Sequence, residues 1–163
     1  MLGPGKAVAA IVRALRGPRH RSPLLKKLAF GSYNKRFPKE EGPDAWLTRD
    51  VARVADRPTD PYTSYIFTAA GYQDLFAMIG GCNSKEWFEN YPKTVPTLVI
   101  SGEEDPVCDY GKGAEYVYRH LVMAGTDRVT LKLYAGARHE LFNETNRDEV
   151  FDFLYGWLEE NGR

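Results

Sequence analysis

The sequence predicts an α/β fold in which parallel strands alternate with helices, preceded by a mostly helical segment. Three observations carry this reading. Residues 93–163 run strand, loop, helix, strand, loop, helix, an order that argues for an open parallel sheet. The regular stretches of residues 1–92 have helical rather than strand spacing. A chain of 163 residues with 43% apolar side chains is long and apolar enough to bury a core.

Each element has its own warrant. Val8, Ile11, Val12 and Leu15 fall at i, i+3, i+4 and i+7, so residues 5–16 read as an amphipathic helix that Gly17-Pro18 ends. A short helix is expected over Pro23–Phe30. Residues 31–63 carry Pro38, Pro43, Pro58 and Pro61 among scattered aromatics, and read as loop and short helices. Tyr72, Leu75, Phe76 and Ile79 predict a helix over 71–80 closed by Gly80-Gly81. Ser84 is placed to cap another, running to Tyr91. Thr97-Leu-Val-Ile-Ser101, between Pro96 and Gly102, predicts a strand buried on both faces. Tyr116, Val117, His120, Leu121 and Ala124 form a helical stripe stopped by Gly125. Val129 to Tyr134 is strand-like. Asn146 with Glu149 resembles a capping box, and Val150, Phe151, Leu154, Trp157 and Leu158 predict a terminal amphipathic helix.

Composition narrows the function classes. Twenty-two basic side chains balance 22 acidic ones, which excludes a disordered or collagen-like chain. Cys82 and Cys108, the only cysteines, exclude a disulfide scaffold and suit a reducing compartment. The longest unbroken apolar run, Ala7 to Val12, is too short to span a bilayer or form a secretory signal core, so a cytoplasmic location is expected. The charge is not even along the chain. Residues 1–39 contain ten basic side chains and no acid. The bland reading is a solvated face. Peripheral contact with anionic lipid comes second, and an Arg-rich presequence third. No nucleic-acid partner is expected.

The chemistry lies in two post-strand loops, Ser101-Gly-Glu-Glu-Asp-Pro-Val-Cys-Asp109 and Tyr134-Ala-Gly-Ala-Arg-His-Glu-Leu141. Open parallel sheets gather their chemistry beyond the carboxyl ends of strands. An Asp in one loop can hold a His of the other in a single tautomer and stabilise the imidazolium that forms when the ring takes a proton. The plain alternatives are a turn-forming Asp before Pro and an exposed loop His. Glu103, Glu104 and Asp109 compete for the acid role. His120, on a predicted helix, reads as structural, and His20 between two arginines as solvated. No cluster has metal-ligand spacing and no phosphate loop is present; neither metal nor cofactor is expected.

From about Leu28 onward the sequence resembles the α/β-hydrolases of the lysophospholipase, monoacylglycerol lipase and serine aminopeptidase-like type. The resemblance rests on Phe30-Gly-Ser-Tyr-Asn-Lys-Arg-Phe37, on Phe67 to Phe76, and on Pro96 to Val107. It continues through Asp109 to Gly113 and Gly136-Ala-Arg-His-Glu-Leu141, with Asn143, Glu144 and Arg147. In such enzymes the triad runs nucleophile, acid, base along the chain. The resemblance implies Asp105 as triad acid, through Gly102-x-x-Asp105-x-Val107, and His139 as base. It implies residues 1–92 as a helical cap and 93–163 as the C-terminal part of the core. Phe67, Phe76 and Val107 are the candidates for substrate lining, although an aromatic stripe serves packing equally well.

One departure sets the limit. The nucleophile of these enzymes sits in a G-x-S-x-G elbow, and none of Ser22, Ser32, Ser64, Ser84 and Ser101 lies in one. Cys108 as a replacement nucleophile would need a paired His and a lowered pKa. The expectation is therefore a C-terminal portion of a serine hydrolase, from truncation or a mis-started gene. It would act on carboxylic esters such as lysophospholipids or monoacylglycerols when completed, and be inactive and prone to aggregate alone. The alternative is a non-catalytic half-domain that binds a partner or an anionic surface through its basic N-terminal stretch.

Overall fold

The computed structural model describes residues 2–63 and 65–162, so Ser64 lies outside the described residues. An N-terminal layer holds α1 (Leu2–Arg16), α2 (Pro23–Phe30), α3 (Val51–Asp56), α4 (Ala69–Cys82) and α5 (Lys85–Asn90), with 3-10 turns between α2 and α4. There follow β1 (Thr97–Gly102), α6 (Lys112–Met123), β2 (Val129–Tyr134) and α7 (Arg147–Asn161). The strands pair in parallel, in register from Thr97 opposite Val129 to Gly102 opposite Tyr134. Both strands therefore end at one edge, and both post-strand loops leave from it.

Caps set most helix starts. The Ser22 hydroxyl accepts the Leu25 N–H at 3.3 Å with Pro23 in the first turn, and Ser84 accepts the Trp87 N–H at 3.1 Å. Thr68 does the same for Gly71 at 3.1 Å at the start of α4. These bonds satisfy donors that the helix itself cannot. Gly17 and Gly125 take φ of 86° and 84° beyond the ends of α1 and α6, the left-handed stop that glycine adopts without a side-chain clash.

Three expectations need correction. Helix α4 runs through Gly80-Gly81 to Cys82. Neither glycine takes positive φ, and helical glycine costs only about 1 kcal/mol each, less than the packing of α4 on α1 supplies. In α1, Ile11 and Leu15 are 57% and 78% exposed. Ala9 is buried instead, with Gly5 and the predicted Val8 and Val12 half-buried beside it. Small residues let the helices approach until a Cβ on Gly5 would stand 3.4 Å from the Phe76 ring. The capping box of α7 does not form: Asn146 makes no bond to the helix backbone, and its amide donates to the Glu149 carboxylate at 2.8 Å.

The core has two parts. Ala9, Leu25, Ala69, Tyr72 and Phe76 bind α1, α2 and α4 together. Tyr134, Ala137, Leu141 and Val150 bind β2, its loop and α7. Strand β1 is half-buried over Thr97–Ile100 and fully buried only at Ser101 and Gly102. Its apolar sequence suits burial on both faces, but the described residues give it β2 as its one strand neighbour.

Candidate active site

Two loops cross at the carboxyl edge of the sheet. Glu103 and Glu104 donate their N–H groups to the Tyr134 and Ala137 carbonyls at 3.0 and 2.9 Å. The crossing demands glycine at 102, because a Cβ there would overlap the Ala137 and Arg138 carbonyl oxygens. Asp109 and Tyr110, with φ of 48° and 58°, and Gly111, at 85°, turn the chain back into α6. The backbone then closes on itself through Tyr110 N–H to the Asp105 carbonyl at 2.7 Å and Gly113 N–H to the Cys108 carbonyl at 2.8 Å.

This loop orients one carboxylate. Asp105 is 3% exposed. Its Oδ1 accepts the Val107 N–H at 2.8 Å, and its Oδ2 lies 3.0 Å from His139 Nδ1. Glu103, Glu104 and Asp109 are exposed, and Asp109 faces Lys112 at 3.7 Å. Of the four acids, Asp105 meets the histidine. Because a carboxylate only accepts, Nδ1 carries the hydrogen and the Nε2 lone pair is left to take a proton. The His139 side chain is 38% exposed, so that nitrogen can be reached.

Residues outside the two loops hold the histidine in place, and sequence reasoning missed them. The Trp46 ring lies against His139 with centroids 5.4 Å apart, and Tyr33 packs on Trp46 at 5.1 Å. The His139 and Glu140 N–H groups donate to the Trp46 and Leu47 carbonyls at 3.5 and 2.7 Å. Arg138, 8% exposed, sends one guanidinium nitrogen to Glu41 Oε2 at 2.6 Å and to the Ala45 and Thr48 carbonyls at 2.7 and 3.1 Å. Its guanidinium carbon stands 4.2 Å from the centre of the Phe37 ring. Glu144, fully buried, accepts from the Arg49 and Arg138 N–H groups at 3.2 and 2.8 Å and from Arg49 Nε at 2.7 Å. The one available signal was charge near the histidine in sequence, Arg138 and Glu144, which pair with Glu41 and Arg49 rather than with each other.

Beside this site lies an open cleft of about 820 Å³ lined by Phe30, Trp46, Phe67 and Tyr72 and rimmed by Lys26 and Lys27. Trp46 thus touches both the cleft and His139. Phe67 is in the cleft wall. Phe76 packs in the α1–α4 core, and Val107 is 43% exposed on the acid loop; neither lines the cleft.

The remaining nucleophile types have other work. Ser22 and Ser84 cap helices, Ser32 is exposed, and Ser101 is 4% exposed with its hydroxyl 3.3 Å from the Gly102 carbonyl. Among the described residues no serine hydroxyl is hydrogen-bonded to His139. Burial pushes the Cys108 thiol up; the Ser101 hydroxyl opposes the rise and the Asp105 carboxylate adds to it. Burial also raises the Tyr33 phenol, with Asp105 and Cys108 adding to it. A thiol kept protonated is a poor nucleophile. His120 Nδ1 is 2.8 Å from the Tyr116 carbonyl and its ring packs on Tyr116 and Phe88.

Comparison with known proteins identifies the fold and the family. A highly thermostable carboxyl esterase from Bacillus coagulans, solved with glycerol, superposes with a TM-score of 0.88 at 25% identity, over 98% of this chain and 52% of the esterase. A lipase in its open form gives 0.85 at 27% identity, over 94% of this chain and 50% of the lipase. A soluble variant of monoglyceride lipase from Saccharomyces cerevisiae, bound to a substrate analogue, shares the fold with a TM-score of 0.66 at 23% identity, over 98% of this chain and 50% of that one. The chain spans about half the length of these structures. The profile of the family described as serine aminopeptidase, S33, matches residues 5–146. With parallel strands, crossing loops and a family match over most of its length, the chain belongs to the serine aminopeptidase S33 family of α/β-hydrolases.

Proposed function

We propose that this chain supplies the acid and base of a serine ester hydrolase acting on lysophospholipids or monoacylglycerols. Residues 1–92 form the cap and 93–163 the C-terminal part of the core. The observation that carries the reading is the Asp105–His139 pair, with one carboxylate oxygen tied to the Val107 N–H and the other to Nδ1. The esterase and lipase neighbours support an ester substrate. The aromatic cleft supports a substrate with an apolar acyl chain.

The sequence holds no G-x-S-x-G, so the serine and the oxyanion donors come from a part of the fold that this sequence does not include. His139 Nε2 takes the proton of that serine as its oxygen attacks the ester carbonyl. The tetrahedral intermediate collapses, and His139 returns the proton to the leaving alcohol. Water, deprotonated by the same nitrogen, then attacks the acyl-serine; the acyl–oxygen bond breaks, and His139 returns that proton to the serine oxygen as the acid leaves. Asp105 stays ionised throughout and stabilises the imidazolium.

The test joins residues 1–163 to the nucleophile-bearing half of the carboxyl esterase and assays a short-chain p-nitrophenyl ester. The fusion should turn over, Asp105→Asn should lower kcat by about four orders of magnitude, and His139→Ala by about six. The 163-residue chain alone should not turn over. Turnover that survives His139→Ala refutes the proposal.

A further inference from the structure

We propose that the outer face of α1 and α2 docks on an anionic lipid surface. Ten basic side chains and no acid occupy residues 1–39. Among the described residues none of the ten is in an ion pair; Arg13 bonds the neutral Gln73 at 2.7 Å and Arg36 lies over the Tyr110 ring at 3.6 Å. Among those residues no carboxylate within ion-pair distance neutralises any of them. Apolar side chains stand in it: Ile11 and Leu15 on α1 are 57% and 78% exposed, Leu24 and Leu28 on α2 are 54% and 56% exposed. Each pair is spaced i, i+4, so each lies along one face of its helix.

Uncompensated lysine and arginine beside exposed aliphatic side chains is the chemistry of a helix that lies in the headgroup layer. A nucleic acid would use the charge but gain nothing from four exposed aliphatic side chains. The same α2 carries Lys26, Lys27 and Phe30 at the cleft. Docking there would bring the cleft mouth to the membrane. That link rests on the proposed ester hydrolysis, whereas docking itself is measured without turnover.

The test is co-sedimentation of the full 163-residue chain with vesicles of phosphatidylcholine, alone or mixed with phosphatidylglycerol. Binding should require phosphatidylglycerol and fade as salt is raised. Each neutralised charge at the surface is worth roughly fivefold in affinity, so a variant with Arg16, Arg19, Lys26 and Lys27 all changed to Gln should bind more than a hundredfold more weakly. Ile11→Glu with Leu15→Glu should also abolish binding. These six side chains are exposed, so the variants should fold, which circular dichroism checks. Lys85→Gln with Lys112→Gln, two lysines outside α1 and α2, should leave binding intact. Vesicle binding that ignores phosphatidylglycerol, or that both test variants retain, overturns the proposal. So does duplex DNA bound more tightly than the mixed vesicles, or an apolar face buried in a dimer that Leu15→Glu dissolves.

Discussion

Glu144→Gln is nearly isosteric and should still be costly. The Glu144 carboxylate is fully buried and every partner it has is a donor. Oε1 accepts the Arg49 and Arg138 N–H groups at 3.2 and 2.8 Å. Oε2 accepts Arg49 Nε at 2.7 Å and the Thr145 N–H at 3.2 Å. A glutamine must turn its NH2 toward one of these pairs, whichever way it flips. Either Arg49 loses its charge-assisted bond or the Arg138 N–H faces another donor. Breaking a buried ion pair from one side costs about 3–5 kcal/mol. The Arg49 side chain is 32% exposed, so water recovers part of that, and about 2–4 kcal/mol should remain. Glu144→Ala should cost at least as much, since it leaves all four donors without their acceptor. Urea denaturation followed by circular dichroism reads the difference as a lower midpoint at unchanged slope. The control is Arg147→Gln, which removes an exposed pair with Asp50 at 4.0 Å and should cost under about 0.5 kcal/mol. If Glu144→Gln loses less than about 1 kcal/mol, the carboxylate does not hold the histidine loop to residues 45–49.

Four further outcomes follow from named contacts. Gly102→Ala should prevent the two loops from crossing and unfold the sheet edge, seen as loss of near-ultraviolet circular dichroism; a well-folded alanine variant would disprove the crossing. The exposed Cys82 should react with a thiol reagent well before the half-buried Cys108, and labelling of Cys108 first would contradict its environment. Because burial raises the Cys108 thiol and Tyr33 phenol, the folded chain keeps protons that the unfolded chain releases. Their contribution is whole below the ordinary thiol range of about 8.5 and should be lost as pH rises through it; Cys108→Ala should flatten the first part of that fall in stability. Nitrogen-15 spectra of the ring should find His139 with its hydrogen on Nδ1, and Asp105→Asn should relax that preference; an unchanged tautomer would show that the carboxylate does not set it.

The elements that were legible are those whose signals are local. Both strands, both post-strand loops and the boundaries of α2 follow from short apolar runs, glycine stops and serine caps. Asp105 and His139 could be paired across 34 residues because parallel strands deliver both loops to one edge. The residues that hold them were not legible. Glu41, Trp46 and Thr48 lie in an irregular, proline-rich stretch without periodicity, and their partners Arg138, His139 and Asn143 follow about 90 residues later. Nothing in one sequence records such a distance. Phe67 and Phe76 show the same limit. Both are aromatics near or on α4, yet one faces the cleft and the other faces α1. Hydropathy found half of the α1 stripe: Val8 and Val12 pack on the core, but Ile11 and Leu15 stay exposed, and the small Gly5 and Ala9 take the close approach instead.

The dyad is therefore built from two directions, and the two differ in kind. The sheet positions Asp105 through backbone alone: Gly102 permits the crossing, and the Val107 N–H turns the carboxylate. The N-terminal layer positions His139 through side chains, with Arg138 threaded among the Ala45 and Thr48 carbonyls and Glu144 closing on Arg49. A movement of residues 41–49 away from the sheet must break buried, charge-assisted bonds before the His139 ring is released from Trp46. Among the described residues no hydrogen bond or ion pair ties α1 or α2 to the histidine loop; the connector between them is held to α4, where the Ala69 and Ala70 N–H groups donate to the His20 and Pro18 carbonyls. The Trp46 wall of the aromatic cleft is thus tied to the histidine loop, and the α2 wall reaches it only through ring packing, Phe30 on Tyr33 and Tyr33 on Trp46.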